Sequence, residues 1–315
     1  MLTPADADTI AGTFGLGDAV RFVGPVARGV IGQIWRLETS RGVWAVKEWF
    51  GRPDVEELDE GTAFHEAAMG AGVPAPPVVR TPDGRLLAEV GGTATRVQGW
   101  IDLNDRDPML DPSEVGRLVG VLHQVPFEGG QPVDAWYAEP VGRDRWEELR
   151  DALTEADAPF VDRLASSIDE LAALDALGVP PRDLRTCHRD LWADNLRSTR
   201  DGGLCLIDWE DCGLADPSME LALVVWEFGR TDPDRARAIH AAYEAAGGPG
   251  RLRQASDFSM AIAQLGHIGA RACTEWLRPS ASEDERGFAA AWFGEFIAEP
   301  LTRETIAMLL EAVQV

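Results

Sequence analysis

Short runs of β-branched and aromatic residues, separated by polar breaks that contain glycine, fill the first third of the chain and predict β-strands. One helix is expected among them, over about residues 55–71, and the prolines of the segment that follows end it. The segments predicted as strands are VRFVGPV, IGQIWRLET, GVWAVKEWF, RLLAEV and ATRVQGWI. This part of the chain therefore predicts a small sheet-rich lobe.

Helical spacing of apolar residues dominates the rest of the chain. EVGRLVGVLHQV predicts a helix capped by Asp111 or Ser113, and a long, charged helical stretch is expected from Arg145 to Leu177. A strand–turn–strand unit is predicted at about 194–208, and amphipathic helices are predicted from Met219 onward.

These elements predict an α+β chain of two lobes. We expect a small antiparallel-sheet lobe over residues 1–98, a hinge over 99–102, and a larger, mainly helical lobe over 103–315. The chain shows no internal repeat and no low-complexity linker.

The charge balance of the chain argues against some classes of binding partner. The chain has 29 Lys and Arg against 53 Asp and Glu, a net charge of −24, which argues against binding to nucleic acid or to an anionic membrane. It suits a cationic ligand, although acidic surfaces also keep proteins soluble. The four cysteines form no C-x-x-C pair, so zinc-ribbon and thioredoxin interpretations have no support. Without a signal-like start or a long apolar run, we expect a cytoplasmic protein.

Lys47 is the only lysine in the chain, and all other basic residues besides histidine are arginines. Coding bias can explain the loss of lysines but not the retention of one. Arginine cannot replace lysine where a compact ammonium on a flexible stem must fit a tight site. Lys47 is therefore a candidate functional residue.

The segment CHRDLWADNLR places His188, Asp190 and Asn195 in the pattern H-x-D-x-x-x-x-N, and Asp208 follows in CLIDWED. This spacing is typical of a phosphoryl-transfer site. A carboxylate, Asp190, would orient an acceptor hydroxyl and take its proton, while the oxygens of Asn195 and Asp208 would suit Mg²⁺. Taken singly, such residues more often cap turns or fill a core, but the joint pattern at this distance is far less expected by chance.

These motifs resemble those of the aminoglycoside phosphotransferase and choline kinase family, which has a protein-kinase-like fold. The resemblance covers essentially the whole chain. It implies that Asp190 is the catalytic base and that Asn195 and Asp208 bind Mg²⁺. LADPSMELA resembles the family segment G-D-P-x-x-D-L-A, which implies a structural, helix-capping role for Asp216 and leaves Glu220 where Asp is usual.

The chain departs from the family pattern at Arg189, where the family usually has glycine. Arginine at this position resembles the HRD form of protein kinases. The run HRDLW is also similar to the H-G-D-L-W of fructosamine kinases, so the motif does not specify the acceptor.

The resemblance also implies the nucleotide site. Lys47 in VWAVKEW would neutralise nucleotide phosphates, and Glu66 would hold Lys47, with Glu56, Glu57 and Glu60 as substitutes. The remaining predicted nucleotide-site residues are Gly29 and Gly32 in a covering loop, and Gln98 and Trp100 at the hinge.

The sequence leaves the role of Glu210 open: it could be a second metal ligand, a group that positions the substrate, or a solvated turn residue. Trp192 and Trp209 could line an acceptor pocket, although tryptophan more often packs in a core. Carboxylates in the helical lobe would suit a cationic acceptor, but most are expected to be solvated: Glu147, Glu148, Asp151, Asp232, Glu275, Glu295 and Glu299.

The leading hypothesis is a kinase that uses ATP or GTP with Mg²⁺ to phosphorylate a hydroxyl of a small, cationic acceptor. An aminoglycoside or related antibiotic is the first class of acceptor, and amino sugars, fructosamines, choline-like and homoserine-like alcohols are alternatives. A non-catalytic nucleotide-binding regulator is less favoured, because such proteins usually lose the base, the metal-binding Asp or the lysine, and all three are present.

Overall fold

A computed structural model describes residues 1–29 and 31–314 of the chain. The chain divides into two compact units. The first comprises Met1–Asp107 and Asp194–Cys212, and the second comprises Pro108–Ala193 and the chain from Gly213 onward. Among the described residues, no helix combines the length and the apolar character needed to cross a membrane.

The strands in the described part of the chain are Ala19–Arg28 (β1), Gly32–Thr39 (β2), Gly42–Trp49 (β3), Val78–Val79 (β4), Leu87–Val90 (β5), Thr93–Gly99 (β6), Arg185–Cys187 (β7), Leu196–Ser198 (β8), Leu204–Leu206 (β9) and Gly213–Ala215 (β10). The α-helices are Ala7–Thr13 (α1), Val55–Gly70 (α2), Pro112–Leu122 (α3), Ala135–Ala138 (α4), Arg143–Glu155 (α5), Val161–Asp175 (α6), Pro217–Gly229 (α7), Pro233–Ala245 (α8), Ser259–Leu277 (α9), Glu283–Ala298 (α10) and Arg303–Gln314 (α11).

An antiparallel six-stranded sheet forms the framework of the first unit, in the order β1-β2-β3-β6-β4 with β5 also paired to β6. The period-2 pattern of β2 explains which face packs inward: Trp35 and Leu37 are buried, whereas Arg36 between them is only half-buried. The sheet and the helical content of the later chain confirm the predicted fold class.

The sequence pattern does not predict α1, because the first third of the chain carries mostly strand signals. Its Ile10 and the adjoining Phe14 are spaced four residues apart, and both are buried in the same core cluster as Leu37 and Val46 of the sheet. Burial against the sheet therefore stabilises a helix that is too short to be stable alone.

The β8–β9 hairpin belongs to the first unit, although the sequence predicted one lobe over 103–315. Backbone hydrogen bonds explain the difference. Asn104 N donates to Ser198 O at 2.9 Å, and Arg200 N donates to Asp102 O at 2.9 Å. The chain after β6 is thus joined to the hairpin rather than separated from it at residue 102.

The second unit is mainly helical, as predicted, and the structure adds two details about its helices. The stretch from Arg145 to Leu177 forms two helices, α5 and α6, because Pro159 interrupts it and Asp157 adopts a left-handed conformation with φ 57°. Helix α7 is buried on all sides rather than amphipathic. Helix α3 begins as predicted, with Asp111 accepting hydrogen bonds from two backbone amides of the first turn.

Candidate functional site

Lys47 lies in β3 with most of its side chain buried. Its ammonium nitrogen is 3.4 Å from Oδ1 of Asp208, and it donates a hydrogen bond to Oε2 of Glu210. Burial by itself would lower the pKa of Lys47, but the two carboxylates outweigh burial and raise the pKa above its ordinary value. Lys47 is therefore a fixed positive charge beside two acidic groups.

The predicted ion pair between Lys47 and Glu66 is not formed in the described part of the chain. Within the described chain, the carboxylate of Glu66 pairs instead with Arg80, whose Nη2 donates to Oε2 at 2.8 Å. Both of these side chains are more than a third exposed. A role for Glu66 in nucleotide binding stays a prediction.

Helix α2 packs against Trp209 through a face that does not include Glu66. The ring of His65 stacks on Trp209 with centroids 4.6 Å apart, and Gly61 allows close approach, since a Cβ there would lie 2.6 Å from the backbone oxygen of Trp209. Successive residues of a helix are rotated by about 100°. Glu66 therefore lies outside the face of α2 that packs against Trp209.

Glu210 takes the place predicted for Glu66. It lies in the short 3-10 turn Trp209–Asp211, directly after Asp208, and it is mostly buried. Burial raises the pKa of Glu210, and the nearby Asp208 carboxylate adds to that rise while Lys47 opposes it. The run IDWED contained the signal for this residue, but sequence reasoning left its role open between metal, substrate and solvent.

Asn195 and Asp208 flank the β8–β9 hairpin. Strands β8 and β9 pair antiparallel, and Ile207 N donates to Asn195 O at 2.9 Å just beyond the last strand pair. Asn195 is buried, whereas the side chain of Asp208 is 43% exposed. The hairpin thus brings the chain at Asn195 next to the residue that precedes Asp208, as its turn predicted.

The side-chain oxygens at the two ends of this hairpin fit the predicted metal ion. Asn195 supplies a neutral amide oxygen and Asp208 a carboxylate oxygen, and Mg²⁺ prefers such hard oxygen ligands. The carboxylate of Asp208 already faces one cation, the Lys47 ammonium. Metal binding by these two residues nevertheless stays a prediction.

Asp190 belongs to the second unit, where two buried side chains hold its neighbour Arg189. The backbone amide of Arg189 donates to Oε1 of Glu220, and the carbonyl of Arg189 accepts from Nε2 of Gln264 at 2.6 Å. Arg189 has φ 65°, in the left-handed region that favours glycine, which accounts for glycine being usual there in the resembling family. The loop that presents Asp190 is therefore fixed at the two peptide groups that flank the Cα of Arg189.

A buried hydrogen-bonded chain extends from Glu220 into the helical core. Nε2 of His123 is 2.6 Å from Oε2 of Glu220, Nδ1 of His123 is 2.8 Å from the hydroxyl of Tyr243, and that hydroxyl accepts from Gly250 N at 2.8 Å. Burial alone would raise the pKa of Glu220, but its hydrogen bonds outweigh burial and lower it. Sequence reasoning missed His123 and Tyr243, because an isolated His or Tyr in a helix carries no spacing signal.

Asp216 caps α7, as expected, by accepting from Ser218 N at 2.9 Å. Its other carboxylate oxygen accepts from the backbone amides of Arg182 and Asp183 at 3.1 and 3.3 Å. Asp216 thus steadies the chain that leads into β7, while Glu220 contacts the loop beside Asp190 directly.

The two glycines of the predicted covering loop lie at the β1–β2 connection. Gly32 has a structural reason for lacking a side chain, because a Cβ there would lie 2.4 Å from the backbone oxygen of Glu48. Gly29 N donates to Gly32 O at 2.9 Å. Val30, between them, lies outside the described residues. Nucleotide binding by this loop stays a prediction.

The residues predicted for the hinge, Gln98 and Trp100, lie at the end of β6 and in the chain that follows. Gln98 pairs with Ala45 of β3, and Trp100 N donates to Val43 O at 3.0 Å. The indole N–H of Trp100 donates to the Asp102 carboxylate at 2.9 Å. The guanidinium carbon of Arg36 lies over the Trp100 ring, 5.4 Å from the ring centroid. These contacts fit a packing role for the Trp100 side chain, and its part in nucleotide binding stays a prediction.

The two tryptophans near the motifs have packing partners. Trp192 meets Trp226 edge-on, with ring centroids 5.8 Å apart, and Trp209 stacks on His65. Most of the acidic residues considered for an acceptor also have other partners. They pair with arginines or cap a helix: Glu147 with Arg143, Glu148 with Arg145, Asp151 with Arg150, Glu275 with Arg278, Glu299 with Arg230, and Asp232 at the start of α8.

A model of the phosphotransferase enzyme family matches residues 23–255. A comparison with curated protein sequences finds no match. Among solved structures, a spectinomycin phosphotransferase in complex with ADP and spectinomycin has a TM-score of 0.72 to this chain at 12% identity, with 100% of this chain and 99% of that chain covered.

Two further solved structures are similar. An aminoglycoside phosphotransferase from Alicyclobacillus acidocaldarius has a TM-score of 0.65 at 16% identity, covering 100% of this chain and 96% of its own. A choline kinase from Streptococcus pneumoniae has a TM-score of 0.55 at 16% identity, covering 93% and 97%. At these identities the likeness shows a shared fold.

Proposed function

The chain belongs to the phosphotransferase enzyme family, and from that premise we propose that it is a small-molecule kinase that transfers the γ-phosphoryl group of ATP or GTP to a hydroxyl. The observation that carries the proposal is the pairing of the only lysine, Lys47, with Asp208 of the IDW motif. Phosphoryl transfer needs a phosphate-binding cation and a metal-binding carboxylate, and these are the two groups in contact.

The roles of the other residues follow from the chemistry of the transfer. Asp190 accepts the proton of the acceptor hydroxyl while the oxygen of that hydroxyl forms a bond to the γ-phosphorus. The bond between the γ-phosphorus and the β–γ bridging oxygen breaks, which releases the nucleoside diphosphate. Lys47 binds phosphate oxygens of the nucleotide, and Asn195 and Asp208 hold the metal. When bound, Mg²⁺ supplies neutralisation of the phosphate charge.

For the acceptor, we propose a small cationic molecule, with an aminoglycoside or related antibiotic as the first class. The net charge of −24 supports a cationic acceptor by raising its local concentration. Amino sugars, fructosamines and choline-like or homoserine-like alcohols are the alternatives. The acidic residues named for the acceptor from sequence add little, because most of them are engaged at helix surfaces.

The experiment measures ADP release from Mg-ATP across aminoglycosides, spectinomycin, amino sugars, fructosamines, homoserine and choline. Asp190→Ala should lower acceptor-dependent turnover by about 10²–10⁴-fold, the usual contribution of a general base. Asp194→Asn is the matched control, because Asp194 lies four residues away, is exposed and pairs with Arg106. Turnover that survives in Asp190→Ala would contradict the assignment.

Nucleotide binding is measured separately. ADP should bind the wild-type chain and bind much more weakly to Lys47→Met. Binding without turnover on any acceptor would favour the non-catalytic regulator. Absence of both binding and turnover would overturn the proposed function.

A further inference from the structure

Arg96 is a buried cation on β6, the strand next to β3, and lies directly opposite Lys47. The two residues are register partners on β6 and β3, so their side chains lie on one face of the sheet. Arg96 is only 3% exposed, and within the described part of the chain its Nε and Nη2 atoms have no hydrogen-bond partner. Like charges directly opposite each other destabilise a sheet, so this pair needs a compensating anion.

Glu210 supplies that anion to both residues. Its Oε2 accepts from Lys47, and its Oε1 is 3.7 Å from Nη1 of Arg96. With Asp208, the group contains two carboxylates and two cations, so its formal charge is zero. A buried carboxylate is stable only while a cation stays beside it.

Nucleotide binding would disturb this balance. In the proposed function, Lys47 must give part of its contact with Glu210 to phosphate oxygens. Glu210 would then be a buried carboxylate that has lost its nearest partner, which is costly. Arg96 cannot leave in the same way, because its side chain is almost fully enclosed.

We propose that Arg96 is a positioning residue that holds the Glu210 carboxylate when a nucleotide draws Lys47 away. This inference rests on the proposed function. Arg96 does not contact phosphate in this account; it acts through Glu210. Its fixed, always-charged guanidinium suits the task better than a second lysine would.

The test is a double-mutant cycle between Arg96→Met and Glu210→Gln, read by the dissociation constant of ADP in the presence of Mg²⁺. Arg96→Met should weaken ADP binding at least about ten-fold, because Glu210 then competes for Lys47. Adding Glu210→Gln removes the buried charge, so the double variant should bind within about three-fold of Glu210→Gln alone. Arg85→Met, which removes an exposed arginine of the same unit, is the control and should bind like wild type.

Two results would overturn the inference. One is unchanged ADP affinity in Arg96→Met. The other is a double variant whose loss of affinity equals the product of the two single losses, which is expected if Arg96 contacts the nucleotide itself.

A ligand-free measurement separates this inference from the proposed function. Urea unfolding should show a lower midpoint for Arg96→Met and recovery of at least half of that loss in the double variant, even if the wild-type chain fails to bind ADP. If Arg96→Met does not fold, the double variant should fold, because both buried charges are then gone. Failure of both to fold would overturn the inference, since Glu210 would not be the reason that Arg96 is needed.

Discussion

Replacing Glu220 by Gln tests whether the buried chain behind the Arg189 peptide positions Asp190. The substitution keeps the size of the side chain and removes its charge. In the wild-type chain, one carboxylate oxygen accepts from the Arg189 amide and the other is 2.6 Å from Nε2 of His123. Glutamine offers a single oxygen. If that oxygen stays on the Arg189 amide, the glutamine NH2 faces Nε2 of His123, and this contact forms only if His123 changes tautomer and loses its present hydrogen bond from the Tyr243 hydroxyl.

The magnitude follows from these two contacts. A hydrogen bond to a charged group contributes roughly 1.5–3 kcal/mol, and a buried donor without an acceptor costs about 1–3 kcal/mol. We therefore expect Glu220→Gln to lower the free energy of unfolding by about 3 kcal/mol. Folded proteins are usually stable by about 5–15 kcal/mol, so the variant should remain folded.

The assay compares kcat and KM of Glu220→Gln with those of wild type on the best acceptor of the panel. We expect kcat to fall about 10- to 100-fold with little change in KM, because a small displacement of Asp190 affects the transfer more than binding. Glu244→Gln, on the exposed side of α8, is the control. A kcat equal to that of the control, together with a clear loss of stability, would refute the positioning role.

Three further predictions concern Glu220, Gly61 and Glu66. Hydrogen bonds lower the pKa of Glu220 despite burial, so the ionised carboxylate stabilises the folded chain fully above its ordinary pKa of 4.5. That stabilisation is lost as the pH falls through the lower pKa of the folded state. The difference in free energy of unfolding between wild type and Glu220→Gln, measured in urea, should therefore narrow in acid. Gly61→Ala places a Cβ 2.6 Å from Trp209 O, so it should lower the free energy of unfolding by about 1–3 kcal/mol and weaken ADP binding. Gly70→Ala, in the same helix with open space around it, is the control and should do neither. Glu66→Gln tests the predicted role of Glu66 in nucleotide binding: because its carboxylate pairs with the exposed Arg80 and not with Lys47, we expect ADP affinity within about two-fold of wild type in calorimetry, and a larger loss would support that role.

The elements of the sheet were predictable because their residues carry a local signal. The strands around Trp35 and Lys47 are runs of β-branched and aromatic residues ended by turns, and α2 ends at a proline-rich segment. Helix α1 was not predictable in this way, since it depends on burial of Ile10 and Phe14 against strands that lie elsewhere in the sequence. The break between α5 and α6 had a local signal, Pro159, which the charged helical pattern around it obscured.

The candidate site was predictable where a motif fixes spacing and not where contacts are made in three dimensions. Lys47 and Asp208 were identified singly, and the structure places them in contact. The match to a family segment on the helix after β3 favoured Glu66 as the partner carboxylate, whereas in the structure Glu66 pairs with Arg80 and Glu210 contacts Lys47. Arg96 could not be found from sequence, because only the strand register makes it a neighbour of Lys47.

The two loops that carry the predicted chemistry share one backbone feature, which makes the polar contacts around them important for their geometry. Arg189 beside Asp190 and Asp208 itself both adopt left-handed conformations, with φ of 65° and 62°. Such conformations cost about 1–3 kcal/mol for residues other than glycine and persist only where surrounding contacts fix them. In the second unit Glu220 and Gln264 hold the backbone N–H and C=O of Arg189, and in the first unit Lys47 contacts the Asp208 carboxylate. Weakening these contacts should therefore change the geometry of the loops before it unfolds either unit, which is why kcat and ADP affinity are more direct tests than stability alone.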